Sequence, residues 1–293
     1  MRIVSLLPAA TEMACALGLE DSIVGISFEC DTPASITNRP RAVSTTLDVH
    51  GKTPRQIDIE VTALMKEGKS LYVVDEALLK ELRPDIILTQ NLCQVCAPSG
   101  NDLSHALAKL DTQPQVIFMS PHSLADVEAN LMELAAATGK KKQGARLLAD
   151  WHKRTDKVIA RVEKLRRFPR VFFMEWVDPI YCAGHWLAEM IEIAGGQDPL
   201  SRKGVDSVRI EWQDVLDWQP EVIVVAPCGY NREQAEQQLP ILQSLPGWDT
   251  LPAVQAKRVY AVDGNAYFVR PGPRLIDGLE MLVKLFHPAP FQG

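Results

Sequence analysis

The chain has 293 residues, 31 Lys plus Arg against 37 Asp plus Glu, and 46% hydrophobic residues; this excludes a disordered chain and supplies a large core. A formal net charge of −6 argues against a general nucleic-acid binder, and no apolar run approaches the ~18 residues of a bilayer span. Six cysteines are too few for a disulfide scaffold. The opening Arg2-Ile3-Val4-Ser5-Leu6-Leu7-Pro8 is too short an apolar stretch for a secretory leader. If Met1 is the native start, the expected location is the cytoplasm; if a leader has been removed, it is the periplasm.

In chain order, residues 2–7 read as an apolar strand ended by Pro8, 9–18 as a helix closed by Gly18, and 22–27 as a second strand. Helices are expected near 54–67, stopped by Gly68, and at 76–83, before the strand Ile86-Ile87-Leu88. A helix near 102–110, a strand at 115–119 and a helix at 123–138 follow. Strands alternating with helices indicate a parallel sheet covered by helices. Over 140–167, Leu148, Trp151, Thr155, Val158, Val162 and Leu165 recur at spacings of three and four, the stripe of one long helix. Residues 140–170 hold twelve Lys or Arg and three Asp or Glu, so this helix is basic inside an acidic protein, most simply as a solvated outer face.

The second half then echoes the first. Leu82-Arg83-Pro84-Asp85-Ile86-Ile87-Leu88 has a counterpart in Trp218-Gln219-Pro220-Glu221-Val222-Ile223-Val224, and Arg2-Ile3-Val4-Ser5-Leu6 in Arg170-Val171-Phe172-Phe173-Met174. The expected architecture is therefore α/β: an N-terminal lobe over 1–139, a connecting long helix over 140–168 and a C-terminal lobe over 169–293, with parallel sheets and a ligand cleft between the lobes.

Ligands of open parallel sheets bind beyond the carboxyl ends of the strands. In the first lobe those loops hold Pro8, then Glu29, Cys30 and Asp31, then Gln90 followed by the C-x-x-C of Cys93 and Cys96. In the second they hold Glu175, Trp176 and Asp178, then Cys228 and Tyr230, then Asn265, Tyr267, Phe268 and Arg270. A single C-x-x-C suits half of a metal site or a redox pair, so Cys30, Cys93, Cys96, Cys228 and His185 are candidate metal ligands, with packing as small loop thiols the alternative. Cys15 falls in an apolar helix as a core residue. His185-Trp186 opens a helix running to Gly195-Gly196; an imidazole there is either a neutral metal ligand or a helix-capping or hydrogen-bonding residue. Aromatics converging on one cleft (Trp176, Trp186, Tyr230, Tyr267, Phe268) suit a large flat ligand such as a tetrapyrrole, whereas Trp212, Trp218 and Trp248 read as packing residues. Arg270 and Arg274 can pair with carboxylates or phosphate, or serve a helix-starting turn. The P-loop, dinucleotide, nucleophile-elbow and zincin motifs are absent from the sequence.

Ile3-Val4-Ser5-Leu6-Leu7-Pro8-Ala9-Ala10-Thr11-Glu12, Leu17-Gly18 and Ile23-Val24-Gly25-Ile26-Ser27 resemble the opening of cobalamin- and siderophore-binding proteins of ABC importers. Leu82 to Leu88, Gly195-Gly196, Arg258-Val259-Tyr260 and Pro273-Arg274 are similar too, with a linker insertion near 44–75. The resemblance implies two α/β lobes on a helical backbone, a small hinge motion, and ligand-lining loops at Pro8, after Gln90, at Trp176 and at Tyr267–Arg270. Within the family, Glu29-Cys30-Asp31, Cys93-Gln94-Val95-Cys96 and Ala183-Gly184-His185-Trp186 are similar to a cytosolic-looking cobalamin-binding sub-group. Family members dock on a permease through one surface glutamate per lobe; the matching positions here are Ala77 and Gln213, with Glu76 and Asp214 one residue away. The implied function is binding of cobalamin, another corrinoid or a metal chelate, with no nucleic-acid partner. The alternative is a metal- or thiol-dependent cytosolic enzyme that reuses the cysteine-rich cleft.

Overall fold

The computed structural model describes residues 1–90, 103 and 106–288, and the chain divides into two compact units. The first comprises Met1–Pro121 with Ala125–Leu148, the second His122–Leu124 with Ala149–Gly293.

The first unit is built on a six-stranded sheet: β1 (Ile3–Ser5), β2 (Ile23–Ser27), β3 (Arg41–Thr45), β4 (Tyr72–Val74), β5 (Ile86–Thr89) and β6 (Gln115–Phe118). Their order is β4-β3-β2-β1-β5-β6, with every pair parallel except β3 with β4. Helix α1 (Pro8–Ala16) follows β1 with Pro8 in its first turn, where the missing N–H costs nothing. Helices α2 (Pro54–Lys66) and α3 (Glu76–Leu82) start at the side-chain caps Thr53 and Asp75. Central strands of parallel sheets are covered on both faces, which is why β1 and β5 read as unbroken apolar runs. Val4, Leu6, Ala42, Val43, Leu79, Leu82 and Ile87 form one core cluster. The segment 44–75, which the family resemblance leaves as an insertion, holds α2 and the edge strand β4. β3 and β4 escape the sequence pattern because each is a short edge or near-edge strand, β3 broken by the polar Arg41, Ser44 and Thr45 and β4 only three residues long.

Helix α4 (Leu124–Ala137) leads into α5 (Lys141–Val162), the long amphipathic helix that periodicity predicts. The second unit then carries β7 (Val171–Val177), β8 (Ile180–Cys182), β9 (Gly184–His185), α6 (Trp186–Ile193), β10 (Arg202–Lys203), α7 (Trp212–Trp218) and β11 (Val222–Val225). After three short α-helices and one 3-10 turn come β12 (Val259–Ala261), the single-turn α8 (Gly264–Tyr267) and α9 (Leu275–Phe286). The main sheet has the order β12-β11-β7-β8, parallel except for the β7–β8 hairpin; β9 and β10 form a separate parallel pair. Phe172, Met174, Val215, Ile223, Val225, Leu242 and Trp248 share its core. Trp212 stacks on Trp248 with ring centroids 6.1 Å apart, and the Trp218 indole donates to the Val171 carbonyl at 2.8 Å. These are the packing roles the sequence predicts. The protein is thus α/β, with two units that each hold a largely parallel sheet.

Candidate ligand-binding site

Each of the two main sheets has one point where the strand order reverses, and crevices of open parallel sheets lie there at the carboxyl ends. In the first unit that point lies between β1 and β5, so the chain leaving β1 through Leu6-Leu7-Pro8 and the chain leaving β5 at Gln90 emerge side by side. The Leu6 N–H donates to the Leu88 carbonyl at 2.9 Å, which fixes that adjacency. Thr89 and Gln90 are buried, and among the described residues neither Thr89 Oγ1 nor Gln90 Nε2 has a hydrogen-bond partner. Unmatched buried polar atoms are costly and cluster where a ligand or water completes them. Thr89 has no motif to mark it; its signal is its place one residue before Gln90.

The neighbouring loop after β2 is held by Arg41, whose guanidinium donates to the Ser27, Cys30 and Thr37 carbonyls at 2.8–3.1 Å. Within it Glu29 is half-buried, Asp31 is exposed, and Cys30 is buried with its sulfur 3.1 Å from Thr11 Oγ1. Pro8 is buried at the start of α1. Cys93 and Cys96 lie outside the described residues. Cys15 is half-buried in α1, and burial raises its thiol to about 11.

In the second unit the reversal falls between β7 and β11. Glu175 and Trp176 at the end of β7 therefore meet the Pro227-Cys228-Gly229-Tyr230 turn after β11. The Cys228 N–H donates to the Glu175 carbonyl at 3.0 Å, and Trp176 packs edge-on against Tyr230 with centroids 5.4 Å apart. Both rings keep partial exposure, and burial raises the Tyr230 hydroxyl. Asn265 joins this face, its side-chain oxygen accepting from the Gly229 N–H at 3.0 Å. The Trp176 indole donates to the Asp178 carbonyl at 3.1 Å. Cys228 is exposed beside it. Tyr267 and Arg270 are half-buried on the same loop system. Phe268 and Trp186 are buried instead: Phe268 packs on Phe173 at 5.3 Å, and the Trp186 indole donates to the Phe268 carbonyl at 2.8 Å.

The loop carrying His185 is unusually constrained. A Cβ on Gly184 would lie 2.4 Å from the Ser207 nitrogen, so only glycine fits there. The Gly184 N–H donates to Glu175 Oε1 at 2.6 Å and the His185 N–H to the Val205 carbonyl at 2.8 Å. His185 itself adopts φ 48°, ψ −125°, a region that costs a non-glycine residue on the order of 1–3 kcal/mol and that concentrates at functional positions. It occupies the N-cap of α6 without a side-chain cap bond, which removes the capping reading of this histidine. Its ring stacks on Trp186 and lies 5.5 Å from the His122 ring. Nε2 is buried, 3.0 Å from Asp206 Oδ1 but not aligned as a hydrogen bond. Burial lowers its pKa from the ordinary value, which Asp206 only partly offsets. His122 and Asp206 carry no motif, because only the fold brings them to His185. Among the described residues, no three His, Cys, Asp or Glu side chains are grouped so as to hold a metal ion.

Two sheet-based units with polar and aromatic loops at their strand ends define a solute-binding protein. The chain belongs to the periplasmic binding protein family, whose model matches residues 3–266. It is 25% identical over 96% of its length to the vitamin B12-binding protein of Vibrio cholerae, of which it covers 87%. It is 24% identical over 99% of its length to the ABC transporter substrate-binding lipoprotein YvrC of Bacillus subtilis, covering 81% of that chain. Among solved structures, the haem-binding protein RhuT of Roseiflexus shares the fold with a TM-score of 0.73 at 21% identity, covering 98% of both chains.

Proposed function

We propose that this protein is the binding component of an ABC-type importer or a relative of one, and that its ligand is cobalamin, another corrinoid or a related flat metal chelate. The observation that carries this reading is the full-length similarity to a vitamin B12-binding protein, together with the Trp176–Tyr230 aromatic pair at the strand-order reversal of the second sheet. On the second unit Glu175, Asp178, Asn265 and Arg270 are the polar candidates of that face; on the first unit the polar candidates are Glu29, Asp31 and Gln90, with Pro8 an apolar one. His185 is the cobalt-side contact: strained, largely uncharged at pH 7 through its lowered pKa, and with a buried Nε2 that lacks an aligned partner. Cys30 and Cys228 are secondary candidates for a thiolate contact.

The enzyme alternative gains nothing from the family or from the names of the relatives. A relative named as a lipoprotein supports the periplasmic over the cytoplasmic location. No helix among the described residues is long and apolar enough to cross a membrane. At the expected docking positions Ala77 and Gln213 are exposed and uncharged, while Glu76 is paired with Lys109 and Asp214 is exposed, so Asp214 is the acid open to a permease arginine.

The test of the His185 role is the absorbance spectrum of hydroxocobalamin titrated with the protein at pH 7. Wild type should shift the cobalt bands as imidazole replaces water. His185→Ala should bind within about tenfold, a loss of about 1.4 kcal/mol, without the shift. Binding by wild type with no spectral change would remove His185 from the contact and leave the rest of the reading intact.

A further inference from the structure

Helix α5 buries Trp151, Val158 and Val162 on one side. On the opposite side, Lys142, Arg146, Ala149, Lys153, Lys157 and Ala160 follow one another at steps of four and three, all exposed. At 1.5 Å per residue this row extends about 27 Å along the helix, four cations with alanines between them in the row. The row belongs to a single helix, so its geometry is that of the helix itself.

Among the described residues none of the four cations enters an ion pair, although other basic residues do, including Lys80 with Asp111, Lys203 with Glu192 and Arg154 with Asp277 and Glu280. Lys157 contributes only a through-space effect on Glu280. Two of the spacings, Lys142 to Arg146 and Lys153 to Lys157, set like charges at i,i+4, where they repel, and the exposed Asp150 and Asp156 on the flank of the row offset this only in part. Lys140, Lys141 and Lys142 crowd the start of the helix, where the macrodipole disfavours positive charge, and with Gly139, Gln143 and Arg146 they line a shallow recess. Two local costs thus coincide on one surface, and both are relieved by an opposing plane of negative charge.

We infer that this face of α5 docks on an anionic phospholipid bilayer surface. Charge complementarity selects the partner class. Lysines predominate, suited as compact point charges to headgroup phosphates rather than to bidentate base recognition. The row also carries no aromatic or amide side chain of the kind that stacks on or reads nucleic-acid bases. The inference does not depend on the ligand reading above.

The experiment is co-sedimentation of the full chain with vesicles of phosphatidylcholine, with and without about 30% phosphatidylserine, at low and physiological salt. The protein should sediment with the anionic vesicles alone and be released by salt, since exposed charges are screened over about 10 Å at 0.1 M. At roughly fivefold per basic residue near an anionic surface, the quadruple variant Lys142→Glu/Arg146→Glu/Lys153→Glu/Lys157→Glu should bind more than about a hundredfold more weakly. A quadruple glutamine variant serves if the glutamates lower the thermal midpoint. Equal binding to neutral vesicles, binding unaffected by the variants, or tighter binding to duplex DNA at the same salt would each overturn the inference.

Discussion

Asp198 shows how one residue ties the second unit together. Its carboxylate accepts from the Phe173 N–H at 3.0 Å and the Leu200 N–H at 3.2 Å, so it pins β7 to the loop after Gly195-Gly196. The carboxyl group is enclosed although the residue as a whole keeps some exposure, and burial pushes its pKa up to about 7 against the pull of those donors. A folded-state pKa above the unfolded value means the native state holds a proton that the unfolded chain has released. The contribution is therefore full below about pH 4 and is lost as pH rises through about 7. The thermal midpoint should fall between pH 5 and 8. Asp198→Asn should flatten that slope and cost about 1–3 kcal/mol at pH 5, because a single amide oxygen cannot serve two buried N–H groups. An unchanged slope in the variant would remove Asp198 as its source. Nothing in the sequence marks this residue. Its partners are backbone groups of other segments, invisible to motif or periodicity, whereas Trp176 and His185 were legible as candidates because they lie at the carboxyl ends of their strands.

At the level of elements, α9 packs against the α8 turn through Gly278. A Cβ at that position would lie 2.2 Å from the Tyr267 carbonyl oxygen, a backbone atom that cannot step aside. Gly278→Ala should cost about 1–3 kcal/mol or more, read as a lowered thermal midpoint, and should displace the Tyr267 loop. Full stability in that variant would show that the helix and loop are not in the close contact described. The apolar runs of β1, β5, β7 and β11 and the stripe of α5 announce themselves, because burial on both faces or on one stripe leaves a strong pattern. β8, β9 and β10 do not: strands of two or three residues are fixed by pairing partners rather than by composition. For the same reason the close approach of Gly184 to Ser207 emerges only in the fold, although the Ala183-Gly184-His185-Trp186 motif points to the segment.

At the scale of the whole molecule, each unit directs its functional loops to the carboxyl ends of its sheet, and the internal echo around Pro84 and Pro220 places the strands that carry them. The plan is that of the family; it does not select the ligand, since related binding proteins are named for B12 and for haem. The most direct test of the account is a calorimetric titration of the full chain with hydroxocobalamin, run beside haem. The account predicts saturable one-to-one binding of the corrinoid with a Kd of about 1 µM or tighter, weakened at least tenfold by Trp176→Ala. Absence of heat with the corrinoid, or saturable binding of haem alone, would contradict it.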